Sequence, residues 1–226
     1  MRLDIYLVEL GFVKSRGRAK DAIEKGNVSV NGTVCTKPSK NVDTSDVIEI
    51  AEGQDKPKGY FKLEYICEKY PLFKSDSFVL DLGSSAGGYV SYVLEILNNS
   101  GHVTGIEFSK DFRSELGKLS FENENFDIIF DDVFTIDLSN LSFSPYDTIL
   151  NDMTLEPKDS ISALIRISPV LKPGGHFLQV IKTNRPLVPK SLISMLNEAD
   201  LQVEDVIETP FGKKELYIVG KKLEKV

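Results

Sequence analysis

The chain has 226 residues, enough for one domain of ordinary size and a small second one. Hydrophobic residues make up 41% and charged residues 27%, a globular balance, and no apolar run approaches the roughly 20 residues of a membrane span. A net charge of −7 argues against nucleic-acid binding, but the average hides an asymmetry: residues 1–58 hold 10 Lys and Arg against 9 Asp and Glu, the remainder 17 against 25. A weakly cationic head on an acidic body is compatible with RNA contact through a local patch.

Residues 2–10 carry apolar side chains at helical spacing, and Gly11 stops that helix. Ser15 is placed to cap a second helix, Arg16 to Lys25, with Ala19, Ala22 and Ile23 on its apolar face and Lys14, Arg16, Arg18 and Lys20 crowding its start. Val28 to Val34 alternates around Asn31-Gly32, a hairpin signal. Lys37-Pro38 and Val47 to Ile50 complete the unit. This order (Arg-Leu-Asp, Ser-Arg-x-x-Ala, Gly-x-Val-x-Val-Asn-Gly, Lys-Pro-Ser) resembles the RNA-binding module of ribosomal protein S4 over about residues 1–50. The resemblance implies phosphate contacts from Arg2, Lys14, Arg16, Arg18, Lys20 and Lys37. Any one of these charges, taken alone, also fits a solvated helix face. The expected organisation is a small α+β head over 1–52, a polar linker over 53–59 and a larger body over 60–226.

Tyr60 to Cys67 reads as a short helix broken by Pro71. From Phe78 the pattern alternates strands (78–82, 103–107, 126–131, 146–151, 175–181, 214–220) with helices (88–97, 109–118, 158–171, 189–199). This alternation predicts an α/β fold with a doubly wound, mainly parallel sheet. At the end, 201–208 and 215–219 flank Pro210-Phe211-Gly212 with no helix between them, which predicts a closing antiparallel hairpin. That arrangement is typical of class I, Rossmann-like methyltransferases.

The centre of the body is Phe78 to Tyr89: a buried strand, then Gly83, Ser84, Ser85, Ala86, Gly87 and Gly88, then a helix. Such a turn brings backbone N–H groups and a helix N-terminus against a ligand, because glycine has no Cβ to block the approach. The spacing Gly-x-x-x-Gly-Gly is not that of a dinucleotide site. Asp81 stands at the strand end, where a carboxylate meets a cationic amino group, and Glu107 ends the next apolar run, where an acid suits a ribose diol. Together they point to S-adenosylmethionine rather than a nicotinamide. Asp131 and Asp132 close the third strand, and one of them, with Asp132 preferred, is placed to bond the adenine amino group.

Open parallel sheets bind ligands beyond the carboxyl ends of their strands. Asn151-Asp152-Met153 closes the fourth strand, Lys182 closes the fifth, and Glu215 opens the antiparallel last strand at that same edge. This constellation resembles the FtsJ-type ribose 2′-O-methyltransferases, and most of all their TlyA (haemolysin A) branch, which also joins an S4-like head to an FtsJ-like body. The resemblance implies a lysine–aspartate–lysine–glutamate tetrad of Lys62, Asp152, Lys182 and Glu215, with S-adenosylmethionine as methyl donor and no metal. The implied substrate is structured RNA, ribosomal RNA or ribosomal subunits. A ribose 2′-hydroxyl is a poor nucleophile at neutral pH, and a lysine assists it either as neutral amine taking the proton or as ammonium stabilising developing alkoxide.

There are departures from the pattern. The second lysine of FtsJ falls two residues earlier, where this chain has Val180, on the same strand face. Thr183-Asn184-Arg185-Pro186 replaces the TlyA stretch after Lys182. These departures leave open a non-catalytic RNA- or ribosome-binding protein with a degenerate methyltransferase fold, and a methyltransferase for a base or protein acceptor. His102 and His176, beside Gly101 and Gly175, read as turn residues rather than catalytic ones. Cys35 and Cys67 lack metal-ligand spacing, and with no leader-like apolar run at the N-terminus the expected compartment is the cytoplasm.

Overall fold

A computed structural model describes residues 1–10, 13, 15–50, 57–183, 188–208 and 215–224. Lys14, positions 53–56 of the expected 53–59 linker, the Gly11 helix stop and the Pro210-Phe211-Gly212 turn lie outside the described residues, while positions 57–59 belong to the second unit, where a helix starts at Lys58. The chain divides into two units, Met1–Lys56 and Pro57–Val226.

The first unit packs α1 (Leu3–Glu9) and α2 (Arg16–Glu24) with a three-stranded antiparallel sheet of β1 (Val28–Val30), β2 (Thr33–Val34) and β3 (Ile48–Ile50), in the order β2-β1-β3. Ser15 caps α2, its Oγ accepting from the Arg18 N–H at 3.3 Å. Asn31 and Gly32 both have positive φ, as a two-residue hairpin turn demands, and set Val30 opposite Thr33. Leu3, Leu7, Ala19, Ala22, Ile23, Val28 and Val30 form one buried cluster, so the helical and strand periodicities of the sequence converge on a single core.

The second unit holds α3 (Lys58–Lys69), β4 (Phe78–Leu82), α4 (Gly88–Leu97), β5 (His102–Ile106), α5 (Arg113–Glu122), β6 (Phe126–Ile129), β7 (Tyr146–Asn151), α6 (Pro157–Ile167), β8 (Leu171–Lys182), α7 (Lys190–Glu198), β9 (Leu201–Glu208) and β10 (Glu215–Lys222). The seven strands run in the order β6-β5-β4-β7-β8-β10-β9. β4 to β8 are parallel, and β10 is antiparallel to both neighbours. Central strands are mainly apolar because both faces are covered. One buried cluster joins the sheet to side chains of α3, α4 and α5, the other to side chains of α6 and α7. The order reverses between β4 and β7, which opens a crevice at their carboxyl ends.

Local detail departs from the periodicity at four places. The helix expected from 109 begins as a 3-10 turn (Lys110–Phe112) capped by Ser109, and α5 proper starts at Arg113. α6 stops at Ile167 because Pro169 cannot continue it. Pro173-Gly174-Gly175 forms a bulge within β8, where the register slips between Tyr146–Leu171 and Thr148–His176. His102 and His176 lie in strands rather than turns: His102 opens β5, is buried, stacks on Phe143 and pairs with Asp127 at 3.1 Å.

Candidate active site

The turn after β4 lies at the sheet's switch point. Gly83 takes φ +79° to leave the strand, and a Cβ there would stand 2.6 Å from Met153 Cγ, so only glycine fits. Gly88 opens α4, and a Cβ on it would meet Gly59 Cα at 2.9 Å, so a glycine pair lets α3 and α4 touch backbone to backbone. Ser85 holds the left-handed conformation with φ +49°, and its N–H donates to Glu107 Oε2 at 2.8 Å. Glu107 Oε1 accepts from the Ser109 N–H at 2.7 Å, so this carboxylate ties the first and second strand-end turns together. The acid is buried, and it lines the cleft with acceptor capacity left on both oxygens.

That cleft has a volume of about 700 Å³. Lys62, Asp81, Gly83, Ser84, Ser85, Gly88, Glu107, Asp132, Asp152 and Lys182 all line it, with Asp131 beside Asp132. Gly87 is not in its lining; it caps α4 in the left-handed conformation one residue away. Asp81 is fully buried, and its Oδ2 has no hydrogen-bond partner. Burial, with the charges of Asp152 and Glu107, pushes its carboxyl up to about 7 against the Ser84 hydrogen bond. An orphaned carboxyl oxygen in a cleft is placed to take a donor from a ligand.

At one end of the cleft four charged side chains form a chain of ion pairs. Lys62, on α3, donates to Glu215 Oε2 at 2.6 Å. Lys182 donates to Glu215 Oε1 at 2.9 Å and to Asp152 Oδ1. The antiparallel register sets Glu215 directly opposite Lys182. Burial works to lower the Lys182 pKa, but Asp152 and Glu215 outweigh it and hold the ammonium above the ordinary lysine range. Burial likewise works to raise Glu215, and hydrogen bonds from Lys182, Lys62 and Tyr217 overcome it and bring the carboxyl down to about 2.

Several contributors carry no sequence signal. Tyr217, fully buried on β10, donates its hydroxyl to Glu215 Oε2. Asn151 Nδ2 donates to Ser160 O at 2.9 Å and to Gln179 Oε1 at 2.8 Å, and Gln179 Nε2 donates to Ser160 Oγ at 2.7 Å. This closed polar network fixes the end of β7, the residue before Asp152. Tyr89, Phe108, Phe112, Met153 and Phe134 add apolar wall to the cleft.

In the first unit, Asp4 is buried and pairs with two guanidinium groups: Arg2 Nε at 2.9 Å and Arg16 Nη2 at 3.0 Å. The Arg2 and Arg16 side chains stay about half exposed, so one buried carboxylate sets the direction of two surface cations. The side-chain hydrogen bond from Arg2 brings the Asp4 carboxyl down to about 2. Lys20 and Lys37 are exposed and Arg18 is half-buried.

Two family models match. Residues 1–48 match the S4 domain, and residues 56–220 match the FtsJ-like methyltransferase family. The chain belongs to the FtsJ-like methyltransferase family. Hemolysin A of Brachyspira hyodysenteriae is 28% identical over 162 residues, 63% of this chain and 66% of that one. Ribosomal RNA large subunit methyltransferase E of Syntrophobacter fumaroxidans is 25% identical over 184 residues, 74% of this chain and 89% of that one. The first two curated relatives are matched over only 34% and 66% of their length. Among solved structures, Aeropyrum pernix fibrillarin, crystallised with natively bound S-adenosyl-L-methionine, superposes with a TM-score of 0.63 at 21% identity, covering 86% of this chain and 94% of that one. That likeness shows the fold.

The cofactor of this FtsJ-like family is S-adenosylmethionine, and the cleft fits it. Asp81 Oδ2 is left without a partner, and Asp81, Gly83, Ser84, Ser85 and Glu107 all line the cleft. Among the described residues no cluster of His, Cys, Asp and Glu could hold a metal ion, and no helix is long and apolar enough to cross a membrane.

Proposed function

We propose that this chain methylates the 2′-hydroxyl of a ribose in structured RNA, with ribosomal RNA, naked or in subunits, as the substrate class. The observation that carries the reading is the meeting of Lys62, Asp152 and Lys182 at the wall of the cleft that also holds Asp81 and the Gly83 turn, with Glu215, behind the lining, bonded to both lysines. When bound, S-adenosylmethionine supplies a methyl group activated by a sulfonium. Asp81 receives the amino group, Glu107 the ribose diol and Asp132 the adenine amino group, while Gly83, Ser84, Ser85, Gly87 and Gly88 form the turn into the α4 N-terminus against which the cofactor lies. Lys62 and Glu215 hold the acceptor hydroxyl and its ribose. Asp152 aims Lys182, whose Nζ takes the hydroxyl proton as the new bond forms.

The RNA grip falls to the S4 domain, through Arg2, Arg16, Arg18, Lys20 and Lys37 of the described residues and through Lys14. In this division of labour residues 1–52 hold the substrate, 53–56 link, and 57–226 react. The compartment is that of the ribosomal RNA itself, the cytoplasm, where Cys35 and Cys67 remain thiols.

The reading has a pH signature. Two carboxylates keep Lys182 protonated at neutral pH, so only a small neutral fraction can accept a proton. That fraction grows about tenfold per pH unit below the pKa. Single-turnover methyl transfer at saturating cofactor should therefore climb with a slope of about one in log rate against pH between about pH 7 and 9. A flat profile over that range would assign Lys182 the ammonium role alone. Calorimetry with S-adenosylmethionine addresses the non-catalytic alternative directly: a chain that failed to bind it would be an RNA-binding protein on a degenerate fold.

A further inference from the structure

Arg166 is the one described arginine of the second unit whose guanidinium donates to backbone carbonyls across the fold. It lies in the last turn of α6, outside the cleft lining. Its Nη1 donates to Val133 O at 2.8 Å and its Nη2 to Ile136 O at 2.5 Å. Those two carbonyls belong to the segment that follows β6 and carries Asp132 and Phe134 into the cleft. The segment is wound tightly, with the N–H groups of Thr135 and Ile136 both donating to Asp132 O at 3.0 and 2.8 Å. Its inward side chains, Val133 and Ile136, are buried in the core cluster that α6 supplies. The same two residues are thus anchored twice, by their side chains in the core and by their carbonyls on Arg166. Asp132 and Phe134 line the cleft beside Val133, and Asp132 Oδ1 accepts from the Phe134 N–H at 2.9 Å, so the carboxylate moves with this turn.

We infer that Arg166 is a positioning residue for purine recognition: its fork fixes the 132–136 turn, and so the direction in which Asp132 accepts a hydrogen bond. A guanidinium suits the task because its donors diverge in a rigid plane and reach two carbonyls at once, where an ammonium is a single point. The inference rests on the reading of the cleft as an S-adenosylmethionine site with Asp132 against the adenine amino group.

The test compares the dissociation constants of S-adenosylhomocysteine and S-inosylhomocysteine, which differ at the purine 6-position, for the full chain and for the Arg166→Met and Arg166→Lys variants. Wild type should prefer the adenosyl ligand at least tenfold. Arg166→Met should weaken adenosyl binding about tenfold while leaving inosyl binding within about twofold, so that the preference collapses; Arg166→Lys should fall between the two. A purely structural arginine would weaken both ligands alike or neither. An Arg166→Met variant that keeps the full preference would overturn the inference and leave the cofactor reading standing. Wild type that binds neither ligand would overturn the cofactor reading and the inference with it. Wild type that binds both equally would overturn the inference through Asp132.

Discussion

A Lys182→Ala variant should lose methyl transfer by about 10³-fold, within the range that a positioned proton acceptor contributes, while its affinity for S-adenosylmethionine changes by less than about threefold. The loss follows from position. Lys182 Nζ is the donor shared by Asp152 and Glu215, and it lines the cleft that also holds the unpartnered Asp81 oxygen. Cofactor binding survives because the groups assigned to it hang on the turns after β4, β5 and β6, which Lys182 does not touch. The fold survives as well. Without Lys182, burial drives Asp152 to take up a proton, and Glu215 keeps Lys62 at 2.6 Å and the Tyr217 hydroxyl. Lys182→Arg sharpens the test. It restores a cation to Asp152 but cannot present a neutral amine at any working pH, so it should be as stable as wild type and as inactive as the alanine variant. Activity in the arginine variant within tenfold of wild type would leave Lys182 a charge-bearing role only.

The second large effect belongs to Asp81, where stability and binding pull in opposite directions. Its carboxyl, raised from 3.8 to about 7, holds its proton more tightly in the native state than in the unfolded chain. The cofactor-free protein is therefore most favoured, as far as this group goes, below about pH 4, and that advantage is lost as the pH climbs through about 7. At about 1.4 kcal/mol for each pH unit, the full cost of ionising the buried group is on the order of 4 kcal/mol. Asp81→Asn removes the ionisation and should raise the melting temperature of the free protein at pH 8. The same change removes the anion that receives the amino group and should weaken S-adenosylmethionine by about 100-fold, a loss typical of breaking a buried charged pair. A proton count separates this account from a simple packing effect. At pH 6 the wild-type carboxyl is largely protonated, and an incoming ammonium would force it to ionise. Calorimetric enthalpies in buffers of different ionisation heat should then show about one proton released, and none in Asp81→Asn. No release in wild type would remove Asp81 from the amino-group site.

The strand, glycine turn and helix around Gly83 were legible because each of their causes is local: an apolar run, residues without Cβ where the backbone must approach a neighbour, and then helical spacing. That Asp152, Lys182 and Glu215 share one edge was legible for a different reason, whereas Lys62, on α3, entered only through the family resemblance. In a parallel sheet every strand ends at the same edge, so polar residues far apart in sequence collect there without any contact being known. What stayed hidden is what holds those residues still. Asn151, Gln179 and Ser160 look like ordinary interior residues of two strands and a helix until the β7–β8 register pairs Asn151 with Gln179. Arg166 looks like the basic end of an amphipathic helix, because its partners are backbone carbonyls and no residue type announces a carbonyl. Asp4 passes as a helix first-turn acid, whereas it is buried under two arginines. His102 was misplaced because Gly101 looks like a turn marker; a Cβ on Gly101 would come within 2.2 Å of Ser77 O, so the glycine marks a close crossing at the start of β5.

The atom that receives the methyl group separates a ribose methyltransferase from a base methyltransferase. Methyl-labelled S-adenosylmethionine, incubated with the full chain and with either naked ribosomal RNA or isolated ribosomal subunits, followed by alkaline hydrolysis of the RNA, reports that atom directly, because a 2′-O-methyl ribose blocks cleavage at its own phosphate. The account predicts label in alkali-resistant dinucleotides with wild type and none with Lys182→Ala. Label recovered in mononucleotides, on a base, would contradict it.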